Sequence, residues 1–334
     1  MNDARLLTRV LADPSRIGEV RDWTALLCVA RAESLGGTLA FRLEDAPVPA
    51  KVAAILQDAR RDAAQARTQA LWEAEMARRA LADTDIPVIL LKGTAYAAAG
   101  LPPALGRSIG DLDILVPRTA LPRVEEALLG AGWEWVKENE YDDHYYRTWM
   151  HELPPLIHRE RDRMIDVHHT ILPLTARRTP DAQAMIDDSV SLGDSVRVLA
   201  PEDMVLHAVA HLFADGDLAG GLRNLWDIDR LLRQFGGANA GYWERLAVRA
   251  RHHQLAGPVR RAARLTASLY GTPVPAGWVG RSAADAAFKR RLLARDGWGR
   301  QTRAVTSFGF YARGHWMRMP PLMLARHLLK KVRG

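Results

Sequence analysis

The segment from Pro87 to Val116 constrains the fold most, because the hydrophobic period changes there. Pro87-Val88-Ile89-Leu90-Leu91 is a short apolar run bounded by Asp85 and Gly93, the pattern of a buried strand. An Ala-rich stretch from Thr94 to Gly100 then predicts a short helix starting at the glycine turn. After a Pro/Gly-rich loop, Asp111-Leu112-Asp113-Ile114-Leu115-Val116 predicts a second strand, closed by Pro117. Residues two apart on a strand share a face, so Asp111 and Asp113 project together, away from Leu112 and Ile114.

Neighbouring carboxylates repel unless a cation lies between them. Mg²⁺ carrying substrate phosphates asks for this arrangement, since it takes oxygen ligands and keeps several waters. A solvated turn of a structural hairpin gives the same D-x-D pattern. The Gly93-Thr94 turn has a similar double reading: backbone N–H groups at a helix start attract anions, and a ligand-free strand-to-helix turn also favours glycine.

The rest of the chain reads as helices on either side of a mixed core. From Ala4 to about Asp83 the pattern is helical, with Asp22 or Thr24 as a cap, Gly36-Gly37 as a stop, and a long helix over Lys51–Leu81. The buried stripe of that helix is predicted as Val52, Ile55, Leu56, Leu71, Trp72 and Met76, its charges forming a solvated face. Beyond Val116 a helix from Thr119 or Pro122 ends at Gly130-Ala131-Gly132. Strand-like runs follow at Trp133–Val136, His144–Met150, Leu156–His158 and Arg163–His168, with a turn at Glu160-Arg161-Asp162. Asp166 sits between Ile165 and Val167, where a strand is ordinarily at least half buried. Helices return at Pro201–Leu212, at Leu225–Phe235 ended by Gly236-Gly237, and over Tyr242–Leu269. His207 and His211 share a helix face without a further ligand in sequence, which predicts packing or hydrogen bonding; Asp227 and Asp229 do not share one.

Composition removes several function classes. The single cysteine, Cys28, lies in an apolar run and excludes an intrachain disulfide framework or a Cys-based zinc cluster, in keeping with a reducing cytosol. No signal-peptide core or membrane-spanning apolar segment is evident in the sequence. The net charge of +7 is a property of one end: beyond Asp296 there are eight basic residues and no acid, and without them the body carries −1. With no nucleic-acid motif in a near-neutral body, stable nucleic-acid binding is not expected. The basic amphipathic ending, Met317 to Lys331, suits either an anionic membrane surface or docking on its own domain.

Three blocks together carry a family resemblance: Leu90-Leu91-Lys92-Gly93-Thr94; Arg107 with Gly110-Asp111-Leu112-Asp113-Ile114-Leu115-Val116; and Ile165-Asp166-Val167-His168-His169. With the helical block Leu199–His207 and Leu222–Ile228, the chain resembles the uncharacterised nucleotidyltransferase family of the polymerase-beta-like superfamily, from about Asp22 to Phe235. The resemblance implies an α+β fold: a nucleotidyltransferase core with a small mixed sheet, flanked by N- and C-terminal helical regions. The expected divisions are 1–84 helical, 85–172 core, 173–275 helical and 276–334 tail. It implies Asp111 and Asp113 as metal-binding acids, Asp166 as the third carboxylate, and Gly93-Thr94 as the turn holding the nucleotide's terminal phosphates. Lys92 and Arg107 match basic positions assigned to the triphosphate. His168, on the face of Asp166, is grouped with the binding residues and either orients the acceptor or packs.

The implied activity is Mg²⁺-dependent transfer of a nucleoside monophosphate, ATP being the expected donor, to a hydroxyl of an acceptor with release of pyrophosphate. That acceptor is a sugar, peptide, protein or small molecule. A catalytically inactive nucleotide-binding or partner-binding module with the same fold is the alternative. The expected location is cytoplasmic, with possible peripheral contact at the inner face of the membrane through the tail.

Overall fold

Among the described residues, seven short strands, β1 (Val88–Leu90), β2 (Leu112–Leu115), β3 (Trp133–Trp135), β4 (Leu156–His158), β5 (Met164–His168), β6 (Val190–Ser191) and β7 (Val196–Val198), join in one mixed sheet of order β3-β4-β5-β2-β1-β7-β6. The β2–β5 and β1–β7 pairs are parallel and the others antiparallel. The computed structural model describes residues 3–137, 139–193, 196–214, 216–238, 241–280 and 282–318. β1 and β2 are buried at every position as central strands of the sheet, the apolar β1 throughout and β2 with Asp113 among its buried residues.

The N-terminal helices are α1 (Asp3–Ala12), α2 (Trp23–Ala32), α3 (Gly36–Arg42) and α4 (Ala50–Ala80). Asp22 caps α2, its Oδ1 accepting from Ala25 N at 3.0 Å. Gly36-Gly37 does not end the helical run as predicted; it opens α3. A Cβ on Gly37 would lie 2.6 Å from the carbonyl of Gly106, so glycine lets the two backbones cross. In α4, Val52 and Leu56 are buried as expected, but Ile55 and Trp72 are more than half exposed. The inner face is made instead by Ala63, Ala70, Ala74 and Ala77, small residues that let α4 lie close to β2 and to α5 (Lys92–Ala98). The solvated charge face also has an exception: Glu73 is buried against Arg161, Nε to Oε1 at 2.8 Å.

After α6 (Leu121–Gly130), the predicted strand at His144–Met150 is a helix, α7 (Glu140–Trp149). Its Tyr, Thr and Trp content favours strand, but i,i+4 partners decide the outcome. Arg147 bonds Asp143 at 2.7 Å, reaches Glu125 of α6 at 2.6 Å, and Tyr145 packs edge-on against Trp149.

The C-terminal helices are α8 (Ala182–Asp187), α9 (Pro201–Ala214), α10 (Gly221–Ala238), α11 (Tyr242–His252), α12 (Ala256–Tyr270), α13 (Ala283–Leu292) and α14 (Ala304–Arg318). Gly236-Gly237 lies inside α10 rather than ending it. A Cβ on Gly236 would stand 3.0 Å from the Trp243 ring, so this glycine makes room for an indole. α12 packs on α1, and buried Glu33 accepts from Arg295 Nε at 2.7 Å, tying the two helical ends of the chain together. α14 docks on α13 through Phe310, edge-on to Phe288, while Arg313 donates to the carbonyl of Phe213 at 2.8 Å. The basic ending from 319 onward lies outside the described residues. Among the described residues no helix is long and apolar enough to cross a membrane.

Candidate functional site

Parallel pairing of β2 with β5 sets Asp113 opposite Asp166 and Leu115 opposite His168. Asp111 lies just ahead of β2 and is exposed, Asp113 is 2% exposed, and Asp166 is intermediate. One carboxylate oxygen from each of Asp111, Asp113 and Asp166 falls within 4.8 Å of the others, so the D-x-D pair and the later strand acid do converge.

Two cationic or polar groups fix Asp113. Its Oδ1 accepts from Lys92 Nζ at 2.6 Å and from His168 Nε2 at 2.9 Å. Burial alone would raise the Asp113 pKa, but the Lys92 ammonium and the His168 hydrogen bond outweigh it and hold the carboxyl below the usual range. Asp166 has no such support. Burial, followed by the charges of Asp113 and Glu152, pushes its pKa up to about 7. A cation among the three carboxylates would remove that repulsion, and three hard oxygen donors suit Mg²⁺.

Lys92, not Gly93, takes the left-handed backbone at the start of α5, with φ +47°. That is a costly conformation for a residue with a Cβ, and it accompanies the short contact to Asp113. Gly93 serves close approach instead: a Cβ there would lie 2.6 Å from Arg107 Nε and 3.0 Å from Ile109 Cγ1. Thr94 is 1% exposed, and neither its Oγ1 nor Arg107 Nε has a hydrogen-bond partner. The Arg107 guanidinium itself is drawn to Asp227 of α10, which also accepts from Arg223 Nη2 at 2.6 Å; Arg223 Nη1 in turn donates to Thr38 Oγ1 at 2.5 Å. The structure thus gathers Lys92 and His168 on Asp113, and places Arg107 over Gly93 but paired with the C-terminal helices.

The fold and this carboxylate group have a counterpart in a family: the model of the uncharacterised nucleotidyltransferase family matches residues 19–271. The chain belongs to that family. The match spans α2 through α12, so the sheet, the three acids and the helices on both sides lie within it. Among curated proteins, no relative matches. Membership in the nucleotidyltransferase family supports a nucleotidyl transfer activity, and two groups of acids and histidines have metal-ligand spacing.

The sequence alone did not disclose Glu152, His151 and the pairing of Asp227. Glu152 Oε2 stands 3.3 Å from His168 Nδ1 and 3.6 Å from His151 Nε2. The neighbourhood comes from backbone pairing of 151–153 with 167–169: Leu153 N donates to Val167 O and His169 N to His151 O, both at 2.9 Å, with Glu152 bridged to His168. No local pattern around Glu152 announces that register. His207 lies behind Lys92, 4% exposed. Burial, and then the Lys92 charge, hold its pKa well below the usual value, which makes it a neutral packing histidine.

Proposed function

We propose that the chain transfers a nucleoside monophosphate from an NTP to an acceptor hydroxyl, releasing pyrophosphate, with Mg²⁺ held by Asp111, Asp113 and Asp166. The carrying observation is the convergence of those three carboxylates within 4.8 Å, with Asp166 pushed up to about 7 by burial and then by the charges of Asp113 and Glu152. Bound there, the metal supplies positive charge that offsets the charge building on the α-phosphate and the departing pyrophosphate.

This chain's own residues have the following roles in the proposal. Asp113, kept ionised by Lys92 and His168, is the permanent ligand. Asp166 becomes a ligand on losing its proton and assists deprotonation of the acceptor hydroxyl. Lys92 neutralises phosphate charge at the edge of the triad. The Gly93–Thr94 turn and Arg107 receive the terminal phosphates; the unpartnered Thr94 Oγ1 and Arg107 Nε are the polar atoms that support this assignment. On the proposed divisions 1–84, 85–172, 173–275 and 276–334 the site falls in the core segment, while β6 and β7 of the same sheet come from the segment after it. The alternative tail reading, a peripheral contact with an anionic membrane surface from the cytoplasmic side, is supported by the outward face of α14. There Val305, Phe308 and Trp316 are 88%, 69% and 49% exposed.

The test is incubation with each α-labelled NTP, ATP first, and Mg²⁺ across sugar, peptide, protein and small-molecule acceptors. Transfer of label with release of pyrophosphate, abolished in Asp113→Asn, is the expected result. Metal-dependent NTP binding without transfer to any acceptor identifies the chain as a non-catalytic nucleotide-binding module, and absence of both binding and turnover removes the nucleotide reading.

A further inference from the structure

The Asp113 carboxylate dictates which nitrogen of His168 carries hydrogen. An ionised carboxylate only accepts, so His168 Nε2, 2.9 Å from Asp113 Oδ1, is the donor. Nδ1, on the other side of the ring, is buried without a hydrogen-bond partner. It points at another acceptor, Glu152 Oε2, at 3.3 Å. A second imidazole nitrogen, His151 Nε2, approaches the same oxygen at 3.6 Å.

Both distances exceed a charge-assisted hydrogen bond, which runs about 2.7–2.9 Å. They match the spacing between two ligands of one ion: bonds of about 2.0–2.2 Å at tetrahedral or octahedral angles put donors roughly 2.8–3.6 Å apart. All three ligand atoms lie within 4.8 Å of one another, on side chains only 12% (His151), 18% (Glu152) and 3% (His168) exposed. The register of 151–153 against 167–169 fixes this cluster through the backbone.

We infer that His151, Glu152 and His168 form a binding site for a first-row transition metal of the zinc class, separate in donor chemistry from the all-oxygen group of Asp111, Asp113 and Asp166. Two imidazoles and one carboxylate select zinc, cobalt, iron or manganese over magnesium. His168 joins the two groups: one nitrogen faces the metal and the other donates to Asp113, the arrangement in which a carboxylate fixes a metal-bound histidine's tautomer and ring. The ion pins the His151–Glu152 segment to β5 and, through the His168 ring, holds Asp113 in place.

The full-length protein, dialysed against chelator, is titrated with Co²⁺ while the visible d–d absorption is recorded. One Co²⁺ per chain with a band quenched by stoichiometric Zn²⁺ and untouched by millimolar Mg²⁺ is the expected result. The band persists in Asp111→Ala, whose side chain touches none of the three ligands, and disappears in Glu152→Gln and His151→Ala, with circular dichroism reporting that each variant folds. No stoichiometric Co²⁺ in the wild-type protein overturns the site and leaves a proton between His168 and Glu152. A band unchanged in both folded ligand variants overturns it by placing the ion among the aspartates. The readout needs neither nucleotide nor acceptor, so it fails or succeeds apart from the transferase proposal.

Discussion

Asp113 and Asp166 stand directly opposite each other on adjacent parallel strands, yet they titrate in opposite directions. Asp113 is held ionised by Lys92 and His168, while Asp166, half-buried beside it, keeps its proton up to about pH 7. One carboxylate of the pair is thus a fixed charge and the other a titrating one, a separation common to sites that handle both metal and proton.

This separation makes stability without metal depend on pH. The Asp166 pKa is raised in the folded protein, from 3.8 to about 7, so between those values the folded chain binds the proton that the unfolded chain has released. Stability falls as pH rises through that window. In chelator, Asp166→Asn is therefore more stable than wild type at pH 8, by ~2–4 kcal/mol for a shift of this size, and nearly equal to it at pH 4. Urea unfolding at the two pH values measures this. Equal stabilities at pH 8 would show that Asp166 is not pressed by its neighbours. Adding Mg²⁺ raises the wild-type midpoint at pH 8 more than at pH 5.5, because the ion competes with the proton.

Removing Lys92 tests the other half of the pair. With Asp113 buried, loss of the ammonium 2.6 Å away leaves His168 as the remaining donor to Oδ1. Lys92→Met is expected to destabilise by about 2–3 kcal/mol, from an uncompensated buried charge. In Lys92→Met with Asp113→Asn much of that loss returns. A double-mutant cycle by urea unfolding reads the coupling, and additive losses would mean the contact is not formed in solution.

Gly93 was legible in the sequence as a turn glycine, but its role in the fold is steric. Gly93→Ala brings a methyl to 2.6 Å from Arg107 Nε and costs about 1–3 kcal/mol by overpacking. Since the nearest atoms belong to a side chain, Gly93→Ala costs much less in an Arg107→Ala background than in the wild type, the cycle setting aside the separate loss of the Arg107 pair with Asp227. If a left-handed backbone at Gly93 were the cause instead, the cost would be the same in both backgrounds.

What the sequence disclosed and what it withheld divide along chain distance. The strands containing Leu90, Asp113, Ile157 and Asp166 show as short apolar or alternating runs with Gly, Pro and Asp at their ends, because those signals act within a few residues. Two turn glycines misled because their partners lie outside the helix being read: Gly37 answers to the Gly106 backbone, and Gly236 to the ring of Trp243 on the next helix. Likewise Tyr145, Tyr146 and Trp149 look like strand residues until Glu125 supplies Arg147 with a partner. The acids of the candidate site could be named from D-x-D and an acid flanked by Ile165 and Val167. The contacts that tune them, Lys92 and Glu152 above all, follow from strand order and register. No window of sequence contains that information.

A vesicle-binding experiment separates two readings of the tail that the sequence left open. Val305, Phe308 and Trp316 fall on the outward side of α14, while Phe310 and Gly314 face inward. An exposed aromatic face next to a segment with eight basic residues and no acid after Asp296 suits the headgroup region of an anionic bilayer. Co-sedimentation is expected with vesicles containing phosphatidylserine or phosphatidylglycerol and not with phosphatidylcholine alone. It should weaken several-fold as salt rises from 50 to 500 mM, since each basic residue near the surface contributes about 1 kcal/mol at low salt. Phe308→Ser with Trp316→Ser should reduce binding at both salt levels, the apolar part being independent of screening. Equal sedimentation of wild type and the double variant would assign whatever binding occurs to the basic residues alone. A monomer-to-dimer difference between the two in light scattering would instead identify a second copy of the chain as the occupant of this face.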